Sequence, residues 1–171
     1  MSAIPVEDLS PAKGKLYVEL AASPEDIRAS QALRYQVFAE ELGARLDGEE
    51  PGLDSDRFDA HCQHMLVRER DSGRIVASTR LLTDALARQA GGFYSQSEFE
   101  MDAVLALPGR RLEIGRTCVD PHFRQGAAIA VLWSGLAAFV NLHGIDYLFG
   151  CASIELRDGG VEVRGTRVRG V

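Results

Sequence analysis

The sequence predicts an α/β (α+β) fold in a single domain, and three observations carry that reading. The stretch RRLEIGRTCVDPHFRQGAAIAVLW, ending at Trp133, has the form strand, tight loop, helix. Leu112 and Ile114 alternate, Val119 follows after a shift of phase, and Pro121 cannot donate to a ladder. From Gly126 the chain is almost continuously apolar, as in a helix buried on most sides. Residues 63–70 and 74–83 read as two strands joined by Asp71-Ser72-Gly73, a good hairpin turn. Ser23-Pro24-Glu25-Asp26 opens a helix, with Ser as cap, Pro in the first helical position and acids in the first turn. Strand and helix periods share 171 residues, the length of one domain.

Taken in order, residues 1–13 carry Pro and charge without a period and are expected to be ragged. Residues 15–21 (KLYVELA) are the first strand. The helix from Ser23 runs to about Leu42 and stops at Gly43. Ile27, Gln31, Arg34, Tyr35, Phe38 and Leu42 fall near one face, at spacings of three and four. Arg34 then shares the inward side with Phe38, unless its long stem snorkels to water. Residues 45–60 have no period and form a loop long enough to suggest function. Its acids, Asp47, Glu49, Glu50, Asp54, Asp56 and Asp59, describe either a solvated loop or a lid facing a cationic substrate.

In the strand at 74–83, Val76, Ser78, Arg80 and Leu82 point one way, and Ile75, Ala77, Thr79 and Leu81 the other. Residues 84–90 are a short helix closed by Gly91-Gly92. Ser97 is read as the cap of a helix ending before Pro108. The apolar helix ends at His143-Gly144, and residues 145–151 are a further strand. Residues 154–171 are rich in Arg, Gly and Val. They read either as a hairpin through Asp158-Gly159-Gly160 or as unstructured chain.

Composition excludes several classes. Hydrophobic content of 46% with 26% charge is that of an ordinary globular protein. A net charge of −6 argues against nucleic acid as a partner. Cys62, Cys118 and Cys151 are odd in number and far apart, with no CxxC pair, so neither a disulfide framework nor a metal site is expected and a cytoplasmic setting is. MSAIPVEDLS lacks the basic start and apolar core of a signal peptide. No apolar run approaches the roughly 20 residues that span a bilayer. Peripheral contact with a membrane surface stays open.

Chemistry concentrates where polarity breaks the core pattern. Glu113 and Arg116 sit in a strand otherwise built for burial, and buried charges are costly unless paired. Arg80 is a second charge within a strand. Arg124-x-Gly126-x-Ala128 places a cation and small residues at a helix start, where free N–H groups suit a phosphate. The plain alternatives are a structural ion pair and an ordinary turn. Cys118 and Cys151 read as packing cysteines, and Trp133 reads as core ahead of its alternative, an aromatic wall.

The order β-α-loop-β-β-α-β-α-β, with the phosphate-type loop after the fourth strand, resembles the GNAT superfamily of N-acyltransferases. LRYQVFAEELGA (33–44), DRFDAHCQHMLV (56–67), ASTRLL (77–82), GGFYSQSEFE (91–100), the segment 112–140 and IDYLFGCAS (145–153) are similar to the L-ornithine N-α-acyltransferases, also called hemolysin-like proteins. The resemblance covers residues 16–153. Residues 154–171 match no motif of the family, whose members continue further, and read as a truncated or diverged end. The related N-acyl-homoserine lactone synthases share a scheme that stands here at Arg34, Phe38, Asp54, Phe58, Asp59, Arg80, Glu113 and Arg116.

The resemblance implies a mixed, mostly antiparallel twisted sheet flanked by helices and splayed at the fourth strand. It implies transfer of a 3-hydroxyacyl group from acyl-carrier protein to the α-amine of ornithine, giving lyso-ornithine lipid. No permanent cofactor is implied; the acyl-phosphopantetheine of the carrier is the donor. Glu113 would be the base and Arg116 its catalytic partner, brought to one face by a β-bulge near residues 114–116. Arg116 and Arg80 would bind the acceptor carboxylate, with Asp54 and Asp59 on a side-chain ammonium and Arg34 and Phe38 completing the acceptor side. Phe93, with Phe99, would wall the acyl chain. Val119, Arg124, Gly126 and Ala128 would receive the pantetheine. Arg68, Arg70, Arg110, Arg111 and Arg124 are candidates for a basic carrier-docking patch. The competing implications are an acyl-homoserine lactone synthase that also uses S-adenosylmethionine, and a non-catalytic remnant that binds carrier or membrane.

Overall fold

The computed structural model describes residues 14–46, 48 and 50–152, and the backbone of 157–158 and 161–162. Expectations for residues 1–13, for Asp47 and Glu49 and for most of the tail lie outside the described residues. Strands β1 (Leu16–Leu20), β2 (Gln63–Glu69), β3 (Ile75–Thr83), β4 (Arg111–Val119) and β5 (Tyr147–Phe149) form one sheet in sequence order. The first three pairings are antiparallel, and β4 with β5 is parallel. Arg157–Asp158 and Val161–Glu162 pair antiparallel as a separate two-stranded sheet, and the turn read at Asp158-Gly159-Gly160 lies partly outside the described residues.

Helix α1 (Pro24–Tyr35) begins as its sequence demands. Ser23 accepts from the Asp26 N–H, and the Asp26 carboxylate reaches back to the Ser23 N–H, a complete capping box. It does not stay α-helical to Leu42. A π-helical turn (Gln36–Glu41) widens it, so Leu42 comes out 60% exposed rather than facing inward. Such turns are rare and concentrate at functional sites. Helix α2 (Asp84–Ala90) closes on Gly91 at φ +81°, and α4 (Ala128–His143) on Gly144 at φ +57°. Ser97 does not cap a helix. It ends a 3₁₀ turn (Tyr94–Ser97) and donates to the Tyr94 carbonyl, while the short α3 (Asp102–Leu105) follows Met101.

The sheet separates two apolar layers. On one face, Leu132, Leu136 and Phe139 of α4 pack on Val18, Met65, Val67 and Leu81. On the other, Leu33 and Val37 meet Leu66, Ile75 and Cys118. The strict alternation expected along β3 fails at its start, where Ile75 packs with the α1 layer and Val76 with the α4 layer. The cause is a register shift opposite Val67 and Arg68, since one inserted residue moves every later side chain to the other face. Further along, Ser78 meets Ser30 of α1, and Arg80 faces the loop acids.

Gly135 lets α4 lie this close to β1. A Cβ there would sit 2.6 Å from Val18 Cγ2, and a β-branched neighbour has little room to turn aside. Gly135→Ala is expected to lower stability by about 1–3 kcal/mol, read from urea midpoints. Adding Val18→Ala should recover part of that loss.

Candidate active site

The second irregularity of the sheet builds the site. Ser78 pairs with Cys118 but Arg80 with Gly115, so Arg116 and Thr117 together oppose Thr79. Arg116 takes φ +51°, the one non-glycine residue with positive φ among the described residues. The bulge expected at 114–116 therefore lies one residue further on, and Thr79 ties it down by bonding to Thr117. Its effect is the one the sequence required. Arg116, three residues after Glu113, comes to the same side of the sheet, and both line a cavity of about 120 Å³ together with Arg80, Phe58, Tyr94 and Cys151.

Three arginines and three aspartates form an ion cluster at that cavity. Arg34 is fully buried. Its Nε donates to Asp54 Oδ2 at 3.0 Å, and Nη1 and Nη2 donate to the two oxygens of Asp59 at 2.8 and 3.0 Å. Nη2 also donates to the Asp54 carbonyl. Arg80 Nη1 donates to Asp56 Oδ1 at 2.6 Å and to Asp59 Oδ1 at 3.1 Å. Burial alone would push the Asp59 carboxyl up. The Arg34 hydrogen bonds and charge, with Arg80 behind them, instead hold it well below the usual carboxylate range. Arg116 Nε lies 3.1 Å from Asp54 Oδ2, but out of line for a hydrogen bond. That contact is a charge pairing which leaves the N–H unsatisfied.

The residues assigned to the acceptor thus divide. Arg80 and Arg116 reach the cavity wall, whereas Arg34 and Asp59 are held within the ion cluster and reach the site only through it. Asp56, singled out in the sequence only as one of the loop acids, bridges Arg80 and the neighbourhood of Arg116. Its Oδ2 is buried without a hydrogen-bond partner among the described residues. Phe93 is not a wall: it is buried edge-on against Phe149, 5.0 Å between ring centres.

Glu113 is 4% exposed, and both of its oxygens are in use. Oε2 accepts the Tyr94 N–H at 2.7 Å; Oε1 accepts the Ser95 N–H at 2.7 Å and the Ser95 hydroxyl. The carboxylate therefore also anchors the start of the 3₁₀ turn. Nothing in the order of the sequence announces this contact, because its partners are mostly backbone groups.

A larger open cleft of about 1180 Å³ adjoins the cavity, running between the π-helical turn, the acidic loop and the end of β5. Pairing of β4 with β5 stops at Glu113 and Phe149, and Gly150 then lies so close to the Ile114 carbonyl that no side chain would fit. Trp133, expected in the core, is 49% exposed and lines this cleft with Phe38, Leu42 and Leu148. Phe99 is 61% exposed and does not line it. Cys151, expected to be buried packing, is exposed and lines both spaces. Cys118 is packed in the core as expected, and burial pushes its thiol up to about 12.

At the far end of β4, about 20 Å from Glu113 at strand spacing, Val119 Cα-pairs with Ala77 and offers its carbonyl to Arg124 Nε. Ala127 precedes α4 and gives it no side-chain cap, Gly126 stands in the turn before it, and Ala128 is buried. Arg124 is engaged by both carboxylate oxygens of Glu41, at the end of the π-helical turn. The expected basic patch does not form as one surface. Arg68, Arg70 and Arg124 belong to the end of the sheet where β4 finishes, whereas Arg110 and Arg111 belong to the end where it starts. Arg111 is committed there to Asp84 and to carbonyls of residues 104–107.

A bulged β4 thus leads through a short turn into α4, with a carboxylate and two guanidinium groups beside a cleft. Residues 33–134 match the acetyltransferase (GNAT) domain model, and the chain belongs to the GNAT family. It is 42% identical over 148 residues to an L-ornithine N(alpha)-acyltransferase of Rhodobacter capsulatus, covering 82% of this chain and 57% of that one. It is 40% identical over 160 residues to the enzyme of the same name from Rhizobium meliloti, covering 88% and 54%. The chain thus spans about half the length of these curated relatives. The same fold occurs in BjaI, a CoA-dependent acyl-homoserine lactone synthase (TM-score 0.59, 22% identity, 77% of this chain and 63% of that one). It occurs again in FeeM, an N-acyl amino acid synthase from uncultured soil microbes (TM-score 0.58, 15% identity, 78% and 68%). Among the described residues, no helix is long and apolar enough to cross a membrane.

Proposed function

We propose that this chain transfers a 3-hydroxyacyl group from the phosphopantetheine of acyl-carrier protein to the α-amine of ornithine, giving lyso-ornithine lipid. The observation that carries the reading is the juxtaposition of Glu113 with Arg80 and Arg116 on one small cavity, in a chain about 40% identical to ornithine acyltransferases. Arg80 and Arg116 offer planar donors to the acceptor carboxylate. Asp56 Oδ2 is the acid left over for the side-chain ammonium, while Asp54 and Asp59 act through the arginines they hold. Glu113 takes the proton of the attacking amine.

The pantetheine arm lies along β4 from the α4 end, its phosphodiester on Arg124 and the amides of Gly126 to Ala128. Glu41 then gives up or shares Arg124, at small cost for a half-exposed pair. The acyl chain follows the cleft past Phe38 and Trp133. A lipid product fits a cytoplasmic protein in peripheral contact with the inner membrane surface.

The test is direct. Purified protein given 3-hydroxyacyl-carrier protein and ornithine should yield acyl-ornithine by mass spectrometry. Folded protein that gives none, or that makes an acyl-homoserine lactone when S-adenosylmethionine is added, refutes the proposal. Trp133→Ala should leave thermal stability near wild type, because the side chain is half exposed. It should raise KM for long-chain donors roughly tenfold, the equivalent of ~1.4 kcal/mol of lost contact. Short-chain donors should be much less affected.

A further inference from the structure

Acyl transfer from a thioester has two proton problems. The attacking nitrogen must lose a proton, and the departing thiolate is helped by gaining one. Glu113 addresses the first. Behind it, the Ser95 hydroxyl is buried at 3% exposure, donates to Glu113 Oε1 and lies 3.4 Å from Cys151 Sγ. Cys151 in turn is exposed and lines both the cavity and the cleft. Carboxylate, hydroxyl and thiol thus form one hydrogen-bonded row, with a buried end at the base and an open end where the thioester would lie.

We propose that Cys151 is the acid that protonates the leaving thiol, and that Ser95 recharges it from Glu113. The assignment rests on the acyl-transfer reading above. The amine arrives having shed its ammonium proton to solvent. The N–C bond forms as the carbonyl opens to an oxyanion. When the carbonyl re-forms, the C–S bond breaks and the sulfur takes the proton of Cys151. The surplus proton on nitrogen passes to Glu113. Ser95 hands its own proton to the Cys151 thiolate and receives that of Glu113. Every group is restored, and the products are an amide and a free thiol.

Two neighbours are less suited to the task. Cys62 also lines the cavity, but burial pushes its thiol up to about 12. The Tyr94 hydroxyl donates to Glu98 at 3.2 Å, on the exposed side.

The test compares two donors in transfer to ornithine: a pantetheine thioester, whose alkyl thiolate benefits from an acid, and an aryl thioester, whose thiolate leaves without one. Cys151→Ala should slow the alkyl donor by about 10²-fold, the low end of what a positioned acid supplies, and leave the aryl donor near wild type. Ser95→Ala should show the same selectivity, and the double variant should be no worse than either single one. Equal loss on both donors would mean a packing role and overturn the assignment, as would no loss at all. Tyr94→Phe reproducing the selectivity would give the role to Tyr94. A wild type active on both donors, paired with a Cys151 variant that does not discriminate, removes this assignment alone. A folded wild type inert to both removes the acyl-transfer reading with it.

Discussion

Arg34→Met is expected to destabilise the domain by about 3–5 kcal/mol, a large share of the roughly 5–15 kcal/mol that folding yields. Methionine fills much of the volume but leaves Asp54 and Asp59 buried without the guanidinium that holds them. Arg34 makes four hydrogen bonds to these two residues through three nitrogens. A lysine has one nitrogen to place among them, so Arg34→Lys should recover little. The pH dependence separates charge from packing. In the wild type the Asp59 carboxyl is depressed below its unfolded value. Its contribution is therefore fully present above that unfolded value, about 3.9, and is lost as pH falls from there towards the depressed folded one. Without Arg34, burial acts on Asp59 with less opposition, and its folded value rises. The stability gap between wild type and variant, read from urea midpoints, should narrow as pH falls through the variant's raised Asp59 value towards the depressed value of the wild type. A gap independent of pH down to the acid side of the unfolded value would mean that Arg34 serves by filling space alone.

What the sequence made legible depended on whether a signal was periodic. Ser23 with Asp26, Gly73 in the hairpin turn, and Gly91 and Gly144 after their helices are local grammar, and the structure has all of them. The charged positions Arg34, Arg80, Glu113 and Arg116 were visible because charge interrupts an apolar pattern. Their division of labour was not. Whether an arginine is sealed in a cluster or faces a cavity depends on a loop, residues 45–60, that has no period to read.

Spacing points to Asp54 and Asp59 rather than Asp56, because it cannot say which carboxylate of a loop without a period keeps an oxygen free of hydrogen bonds. Trp133 and Cys151 are more exposed than the sequence suggests for a related reason. A cleft lined with apolar residues and a core lined with apolar residues have the same composition, and only three-dimensional closure separates them. The π-helical turn at Gln36–Glu41 leaves no mark in spacing, yet it brings Leu42 to the cleft and Glu41 to Arg124.

Glu113→Gln is expected to lower kcat for acyl transfer by about 10²–10⁴-fold, the range typical of a positioned general base. It should leave KM for ornithine within a few-fold, since Arg80 and Arg116 are untouched. Glu113 also has a second duty, as the anchor of the 3₁₀ turn. A carboxylate accepts on both oxygens, and here three donors converge on it. A glutamine can satisfy the Ser95 side with its oxygen, but its amino group then meets the Tyr94 N–H donor to donor. Left unpaired in a buried site, that N–H costs about 1–3 kcal/mol. Stability and activity will therefore fall together, and the assay belongs well below the variant's own melting temperature, with near-UV circular dichroism showing that the aromatic environment of Tyr94 is intact. Under those conditions the two duties come apart. An anchor that merely positions the 3₁₀ turn would, once the turn is in place, cost less than tenfold in kcat and raise KM, because Tyr94 lines the cavity proposed for the acceptor. A base would cost kcat alone. A loss confined to kcat, in a protein whose turn is intact, is the result that makes Glu113 the proton acceptor. A loss confined to KM would return it to a purely structural role, with the nitrogen's proton taken by water.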